Sequence, residues 1–306
     1  MGMVRRKTQC IGCCILVSFL LFAAAPVCAQ PSGGPYGPID QRYEIPKAAH
    51  VYYVAPDGKA ESPGTTLEQP TTIEAAIERV VTGDAIVMRG GVYRTGGLLL
   101  NQGVTIQPYG DERPVLKGTE VAEKWQPLRN NIWRTKWTKL FPASPLGWWQ
   151  RAREGMRTPL HRFNSDMVFV DGRLLKSVGW EGELDADSFF VDYKDQYVYI
   201  GVDPNNKLVE ITAHDSALVR TSRDVHGKTN DRKGPVIRGI TFTQYAYRAL
   251  EVEGKKQFTI NDEPTDEPVG LSDPSTFGKE VTGTVLENVT VSFCSRVAGF
   301  FRGDGL

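Results

Sequence analysis

Two adjacent tryptophans beside an arginine offer the clearest ligand-binding chemistry in this 306-residue chain. Trp148 and Trp149 precede Arg151, and all six tryptophans lie between positions 125 and 180. A flat indole face can stack on a sugar ring, but aromatic side chains also bury the largest area per residue in a core. Adjacent residues rarely both point inward, so we take Trp148, Trp149 and Arg151 as substrate-binding candidates, with core packing of the two rings as the open alternative. For three other tryptophans we expect core positions: Trp125, Trp133 and Trp180.

A second group of reactive side chains lies in the polar segment from Thr221 to Lys233. Hydrolysis of a glycosidic bond needs two carboxylates that flank the bond. The segment contains such acids together with bases, but its spacing on a loop fixes no geometry, and a solvated loop is the commoner interpretation. The side chains in question are Arg223, Asp224, His226, Asp231 and Arg232.

The long polar stretch from Glu253 to Gly283 is rich in carboxylates, and oxygen ligands at this density could bind calcium. The stretch lacks the spacing of a known calcium-binding loop, so we expect a solvated acidic loop and assign no metal ligand. The acids are Asp262, Glu263, Asp266, Glu267 and Asp273.

The amino terminus has the three-part layout of a secretory signal. Basic residues 5–7 precede an apolar run over 10–25, and small residues follow at 27–29, which predicts cleavage between Ala29 and Gln30. A membrane anchor is the weaker alternative, because the apolar run falls short of the roughly 20 residues that span a bilayer. A lipoprotein signal ending at Cys28 is a second alternative. We expect a secreted protein, extracellular or periplasmic.

Charge and cysteine content limit the remaining classes. The chain has 36 basic and 36 acidic residues, and loss of the three basic signal residues leaves 33 against 36, a net charge of −3. This balance argues against a nucleic-acid binder, which should show a basic face. The processed chain keeps Cys294 alone, which excludes an intrachain disulfide. We expect a monomer if the protein is full-length, with no membrane span after cleavage.

The elements that would position these residues are short strands with one early helix. Thr71 or Thr72 can cap a helix with a single buried stripe, and Gly83 and Asp84 end it. Strands are predicted at Val51–Val54 and 85–88, and further short apolar pieces alternate with glycine- and proline-rich turns. The stripe of the helix comprises Ile73, Ala76, Ile77, Val80 and Val81.

The stretch from Val51 to Arg94 resembles the opening segment of secreted right-handed parallel β-helix proteins of the pectate-lyase-like superfamily. Gly83-Asp84, a strand, Gly90-Gly91 and Tyr93 match the element that begins the first turn in that family. The resemblance implies an all-β solenoid whose open end is covered by the short helix. Lyases of the superfamily abstract a proton beside a uronate carboxylate, commonly with Lys or Arg as base. No active-site motif of the pectate, alginate or rhamnogalacturonan enzymes matches, so the catalytic residues are unknown.

A repeat near the end of the chain supports the same fold independently. Residues 236–252 and 285–301 align at an offset of 49, with identical residues at Val236/Val285, Thr241/Thr290 and Ala249/Ala298. Apolar and hydroxyl residues alternate, as in strands with one buried face. Stacked turns bury what no single turn can bury alone, which is the principle of a solenoid.

Between these ends, the periodicity changes and two hairpins are predicted, one at Asp171-Gly172 and one at Lys194-Asp195. We interpret this region as an inserted β-rich subdomain. The predicted division is a signal peptide at 1–29, a flexible linker at 30–49, the cap and first coils at 50–120, the insert at 121–218 and further coils at 219–306.

The chain reaches Leu306 without a visible terminal cap, so we expect a fragment that lacks further coils. The predicted function is action on extracellular polysaccharide, as a polysaccharide lyase or glycoside hydrolase. The alternative is a non-catalytic carbohydrate-binding or cell-surface structural module, since function is not fixed by fold. The expected partner is a polysaccharide, and no cofactor is identified beyond the calcium considered above.

Overall fold

The computed structural model of the protein describes residues 41–142, 159–254 and 278–302. These ranges are nearly all β, with one α-helix (α1, Ile73–Arg79) and two 3-10 helices (Leu160–Phe163 and Glu181–Glu183). The first strands are β1 (Val51–Val54), β2 (Ala85–Met88), β3 (Gly91–Arg94), β4 (Leu98–Leu100), β5 (Thr105–Pro108) and β6 (Pro114–Lys117).

The next strands form the insert: β7 (Thr119–Val121), β8 (Gln126–Pro127), β9 (Trp133–Lys136), β10 (Val168–Val170), β11 (Arg173–Leu174), β12 (Lys176–Ser177), β13 (Ser188–Asp192), β14 (Tyr197–Ile200) and β15 (Val209–Thr212). The last strands are β16 (Ser216–Arg220), β17 (Val236–Arg238), β18 (Thr241–Thr243), β19 (Arg248–Val252), β20 (Val285–Glu287), β21 (Thr290–Ser292) and β22 (Val297–Phe301).

Three parallel sheets contain all the strands outside the insert. Sheet 1 has the order β1-β2-β5-β17-β20, sheet 2 the order β3-β6-β18-β21, and sheet 3 the order β4-β16-β19-β22. The chain visits sheets 1, 2 and 3 in that sequence four times within the described residues. The prediction of an all-β chain with parallel sheets is therefore confirmed, while the handedness stays a prediction.

The repeat at an offset of 49 corresponds to neighbouring turns. Val236 pairs with Val285 in sheet 1, and Thr241 pairs with Thr290 in sheet 2. The backbone N–H of Thr290 also donates to the carbonyl of Ile240, over 3.1 Å. These pairs confirm the predicted register. A slip of one residue would have moved the side chains of the buried face to the outer face.

Side chains of one column from each sheet fill the space between the sheets. In sheet 2 the column is Tyr93, Leu116, Phe242 and Val291, paired strand to strand. Phe242 is only 2% exposed. The thiol of Cys294 packs against the same core, and burial raises its pKa, which makes it a poor nucleophile.

Helix α1 covers the first turn as the resemblance implied. Thr72 caps it by accepting a hydrogen bond from the Ala75 N–H at 3.2 Å. Ile73, Ala76, Ile77 and Val80 pack into the core of the stack. The predicted stripe was wrong at its last position, since Val81 follows the helix and is exposed.

The insert has its own two sheets and its own core. Sheet 4 has the order β11-β10-β15-β7, and sheet 5 the order β12-β13-β14-β9-β8. Both predicted hairpins are confirmed, as β10 and β11 pair antiparallel and so do β13 and β14. Phe189, Val198 and Ile211 are among the buried side chains of this second core.

A buried carboxylate ties the insert to the stack. Glu210 on β15 is fully buried, and its oxygens lie 2.7 Å from Lys117 Nζ and 2.7 Å from Arg94 Nη2. Arg94 and Lys117 are neighbours on the outer face of sheet 2. A second contact joins the insert to the last turn, where Ser295 Oγ donates to the carbonyl of Ser165 at 2.7 Å.

The facing of sheet 2 can be tested by two substitutions on one strand. We expect Phe242→Ala to lower the free energy of unfolding by about 3–5 kcal/mol, because it empties a buried ring site. Its neighbour Thr241 lies on the outer face, so Thr241→Ala should change stability by about 0.5 kcal/mol or less. Urea unfolding of both variants checks this, and equal losses would contradict the assigned faces.

Candidate functional site

The substrate-binding candidates Trp148, Trp149 and Arg151 lie outside the described residues, so they stay predictions. The five acids of the loop between Glu253 and Gly283 also lie outside them. Among the described residues, no group of three or more His, Cys, Asp or Glu side chains is arranged to hold a metal ion. No helix in these ranges has both the length and the apolar character to cross a bilayer.

The polar segment 221–233 is organised by Arg220, the residue directly before it. Arg220 is 1% exposed and points into the stack. Its guanidinium donates to the carbonyl of Lys233 at 2.8 Å, to Asn230 Oδ1 at 3.0 Å and to Asp231 Oδ1 at 2.6 Å. The charge of Arg220 is thus compensated within the segment that follows it.

Asp231 is consequently a structural residue. Beyond Arg220, it accepts hydrogen bonds from the Gly103 N–H at 2.8 Å and from the hydroxyl of Thr82. Burial acts to raise its pKa, but the hydrogen bonds from Thr82, Lys233 and Gly103 and the charge of Arg220 outweigh burial and lower it. An acid held ionised by four donors is unsuited to proton transfer.

Other side chains of the segment also serve the fold. Lys228 Nζ lies 2.9 Å from the carbonyl of Glu78 and 2.7 Å from that of Val80, at the carboxyl end of α1. A cation at this end of a helix binds the last free carbonyls. A ring nitrogen of His226 lies 2.8 Å from the carbonyl of Leu99. The segment therefore fastens α1 to the stack, which agrees with its interpretation as a loop.

Two buried carboxylates, one on β19 and one directly after it, likewise join neighbouring turns. Glu251 binds Arg302 at 2.6 Å and also pairs with Arg248. Glu253 accepts from the Thr221 hydroxyl at 2.6 Å and from the Ser222 N–H at 3.1 Å. Each acid is engaged by donors from its own or an adjacent turn.

The insert contains a pocket in which, unlike the acids of the stack, several polar side chains form no hydrogen bond or ion pair with described residues. A cavity of about 250 Å³ opens between the 3-10 helix at Leu160–Phe163 and strand β12. The buried side chains of Met167, Leu175 and Phe189 form its apolar wall. Its polar side chains are His161, Arg162, Asn164, Lys176 and Ser177. We call this cavity the insert pocket.

Three of the polar side chains in the insert pocket form no hydrogen bond within the described part of the chain. Among these residues, no hydrogen bond or ion pair involves the side chains of His161, Arg162 or Lys176. Asn164 Nδ2, in contrast, donates to Ser177 Oγ at 3.1 Å and fixes that hydroxyl in the wall. Arg162 and Lys176 are exposed at this cavity, His161 is half-buried, and Lys176 interacts electrostatically with Asp185. Polar side chains beside a partly apolar cavity are a feature of ligand sites.

Trp180 lies beside this pocket and corrects an expectation. A core position is expected for Trp180 from its residue type, but its side chain is 62% exposed. It precedes the 3-10 helix at Glu181–Glu183 and follows Gly179, whose ideal Cβ position is 2.9 Å from His161 Nδ1. A glycine at this position allows the close approach of the imidazole. The ring of Trp180 lies against Gly182, and its backbone neighbour Gly179 lies against the pocket residue His161.

The expected core role of two other tryptophans is confirmed. Trp125 and Trp133 pack against the core of the insert, and so does Trp137. Trp125 donates its ring N–H to the carbonyl of Ala122 at 3.0 Å, and Trp137 donates to that of Thr212 at 2.9 Å. Satisfied ring N–H groups are the usual companions of buried tryptophan.

A buried carboxyl forms the rear of the insert pocket. Asp166 accepts a hydrogen bond from the Tyr193 hydroxyl at 2.8 Å and from the Phe141 N–H at 3.0 Å. Burial raises the pKa of Asp166 to about 6, against the lowering effect of these hydrogen bonds. Burial and the neighbouring Asp166 also raise the pKa of Tyr193, which therefore stays a hydrogen-bond donor.

The insert pocket could not be predicted from sequence spacing, because its residues come from two segments with no shared spacing. His161, Arg162 and Asn164 belong to a short polar run before β10, while Lys176 and Ser177 form β12. The available signal was the basic pair His161-Arg162 inside a tryptophan-rich window.

Comparison with known proteins gives likenesses to carbohydrate-active structures at low identity. No family model matches the chain, and no curated protein matches it. The complex of XylC with xylose is 20% identical over 66% of this chain and 41% of that chain, with a TM-score of 0.48. A glycoside hydrolase is 14% identical over 65% and 51%, with a TM-score of 0.40. Pectate lyase Pel9A is 11% identical over 80% and 47%, with a TM-score of 0.27.

The chain thus spans between 41% and 51% of the length of these three structures. At this level of similarity no functional residue is transferred from them.

The structural role of Asp231 predicts a large loss of stability on its removal. Asp231→Ala leaves the buried Arg220 without its carboxylate, and we expect the free energy of unfolding to fall by about 3 kcal/mol. The exposed neighbour provides the control, since Arg232→Ala should cost about 0.5 kcal/mol or less. Urea unfolding measures both, and similar stabilities would contradict the role of Asp231 in holding the loop.

Asp166 predicts a dependence of stability on pH. Its folded-state pKa of about 6 lies above the ordinary 3.8, so the folded protein holds this proton more tightly than the unfolded chain. The resulting stabilisation is fully present below the ordinary pKa and is lost as the pH rises through 6, by about 3 kcal/mol in all.

Unfolding of the wild type and of Asp166→Asn between about pH 4 and pH 7.5 isolates this contribution. The wild type should lose stability relative to the variant as the pH rises. A stability difference that stays constant over the whole range would show that Asp166 titrates normally.

Proposed function

We propose that this protein is a secreted right-handed parallel β-helix protein that acts on extracellular polysaccharide and binds its glycan at the insert pocket beside Trp180. The observation on which the proposal rests is the combination of an exposed indole at Trp180 with a nearby cavity in the same insert, whose His161 and Arg162 side chains form no hydrogen bond or ion pair in the described part of the chain. The secretory signal predicted at residues 1–29 supports the extracellular location.

The two parts of the site suit the two kinds of surface on a sugar. The C–H face of a pyranose ring is apolar and packs on a flat aromatic ring such as Trp180. The hydroxyl groups need hydrogen-bond partners, and Ser177 together with the basic side chains supplies them. The apolar wall of Leu175 and Phe189 excludes water from one side, which strengthens each polar contact.

A recognition role for the described residues is favoured over a catalytic one. The buried acids Asp231, Glu251 and Glu253 are held by hydrogen bonds and ion pairs within the fold. A glycosidase needs an acid that protonates the leaving group and a second carboxylate across the bond. The engagement of these acids favours a non-catalytic binding module as a second candidate function, beside action of the whole protein on the glycan.

The binding part of the proposal predicts an effect of Trp180→Ala. We expect the affinity for a bound polysaccharide to fall about tenfold, because the stacking surface is lost. The control is Leu208→Ala, which removes an exposed apolar side chain of the insert that does not line the pocket. Affinity electrophoresis against uronate-rich and neutral polysaccharides measures both variants.

The same polysaccharides distinguish the reactions. New ultraviolet absorbance from unsaturated ends indicates a lyase, reducing ends without absorbance indicate a hydrolase, and retention without turnover indicates a binding module. The proposal is overturned if no polysaccharide is retained, or if Trp180→Ala and Leu208→Ala bind as well as the wild type.

A further inference from the structure

We infer that residues 41–44 form a strap that holds three successive turns of the stack together at the corner between sheets 1 and 2, and that release of this strap opens a cavity beside it. The strap lies on the outside of the stack and precedes β1 in the chain. No residue of the strap lines the insert pocket, so its docking does not depend on glycan binding there.

Main-chain groups of the strap bind β5 and the turn that follows it. The Tyr43 N–H donates to the carbonyl of Gly110 at 2.7 Å, in an antiparallel bridge. Gln107 Nε2 donates to the carbonyl of Glu44, also at 2.7 Å. Gln107 lies on the outer face of β5, next to the inward-facing Ile106, yet it is only 2% exposed. A buried amide donor needs an acceptor, and the strap supplies it.

The side chain of Tyr43 reaches the next two turns. Its ring lies against Gly239, where an added Cβ would be 2.7 Å from the ring atom Cε2. Its hydroxyl accepts a hydrogen bond from Asn288 Nδ2 at 3.2 Å. Gly239 and Asn288 are equivalent positions of the 49-residue repeat, and both have a left-handed φ, of +61° and +53°. The glycine leaves room for the ring, and the asparagine supplies a donor to the hydroxyl.

These contacts couple turns of the stack that are not neighbours. Gly110, Gly239 and Asn288 belong to the second, third and fourth turns, and Asn288 follows Tyr43 by 245 residues. In a solenoid each turn contacts only the turns beside it, so stability is a sum of terms for single turns and for adjacent pairs. A strap that contacts three turns adds a coupling between the second turn and the fourth.

The strap also forms one side of a cavity of about 390 Å³ at the same corner. Tyr43 lines this cavity from the strap, and Thr241 and Thr290 line it from the outer face of sheet 2. The ring of Tyr43 is only half-buried, and Arg42 and Asp111 pair through exposed side chains 3.9 Å apart, which adds little. Segments held by so few contacts open at a lower free energy than core strands. Release of the strap therefore precedes unfolding of the stack and uncovers the two threonines.

Hydrogen exchange of the full-length chain tests the coupling of the turns. We expect Tyr43→Ala to speed exchange about tenfold at residues 239–241 and 288–290, because their turns lose a shared contact. Amides of β13 and β14 in the insert should keep their rates. Tyr43→Phe removes the hydroxyl alone, so it should speed exchange at 288–290 and leave residues 107–110 unchanged. Arg42→Ala is the matched control, since it alters a neighbouring side chain that is 80% exposed and should leave every rate unchanged.

Thiol labelling tests the opening of the cavity. Thr241→Cys places a thiol in the cavity, and the half-buried Cys294 serves as the internal reference. A maleimide should modify the introduced thiol about tenfold faster when Tyr43→Ala is also present, with the rate at Cys294 unchanged. Peptide mass mapping separates the two thiols, and circular dichroism with thermal melts shows whether each variant keeps its fold.

Several results would overturn the strap. Unchanged exchange at both corner segments in Tyr43→Ala overturns the coupling of the turns, and unchanged labelling overturns the opening of the cavity. Exchange that rises by the same factor in the insert strands shows a general loss of stability and overturns the strap as a separate element. If Tyr43→Ala does not fold, Tyr43→Phe decides, because faster exchange confined to 288–290 supports the coupling and unchanged exchange overturns it. The proposed function is tested separately, since none of these measurements involves a glycan.

Discussion

Every strand of the stack depends on neighbours that are distant in the chain, because a single turn cannot bury its own inward side chains. Ile86, Ile106 and Ile237 form one inward column of sheet 1, and Leu116 and Phe242 pair in sheet 2 on either side of the whole insert. The entropic cost of closing a long connection grows only with the logarithm of its length. A large insertion between β6 and β16 is therefore compatible with an unbroken core.

The insertion is tolerated, but its position must be fixed by specific contacts. A fully buried carboxylate is costly unless cations and hydrogen bonds compensate it. Glu210 meets this condition only while Arg94 and Lys117 remain beside it, so the pair of cations on sheet 2 selects one placement of β15. Buried Arg220 selects the path of the loop after β16 by the same logic. In both places the charged side chains hold parts of the fold together, and they are not available to a ligand.

The sequence predicted the parts of the fold that repeat or that follow local rules. Alternation of apolar and hydroxyl residues at an offset of 49 fixed the pairing of Thr241 with Thr290, and the threonine cap fixed the start of α1. It did not predict the candidate site, because the pocket depends on how a 3-10 helix and β12 meet inside the insert. Trp180 was assigned to the core on average burial alone, although the helix it precedes leaves its ring exposed. Buried Arg220 was missed because inward positions of a strand are normally apolar.

The contacts that fix the insert on the stack also fix the position of the candidate site. Ser295 and Arg296 on the last described turn contact Ser165, which precedes the pocket residue Asp166 by one position. The guanidinium of Arg296 also stacks on the ring of Tyr247 at 4.5 Å, and Phe141 packs against that ring from the insert. Movement of the pocket would break these contacts together. A glycan bound at the insert pocket would therefore keep a fixed position relative to the outer face of the stack. The described acids of the stack hold the fold together, and the insert would provide the groups that bind the glycan.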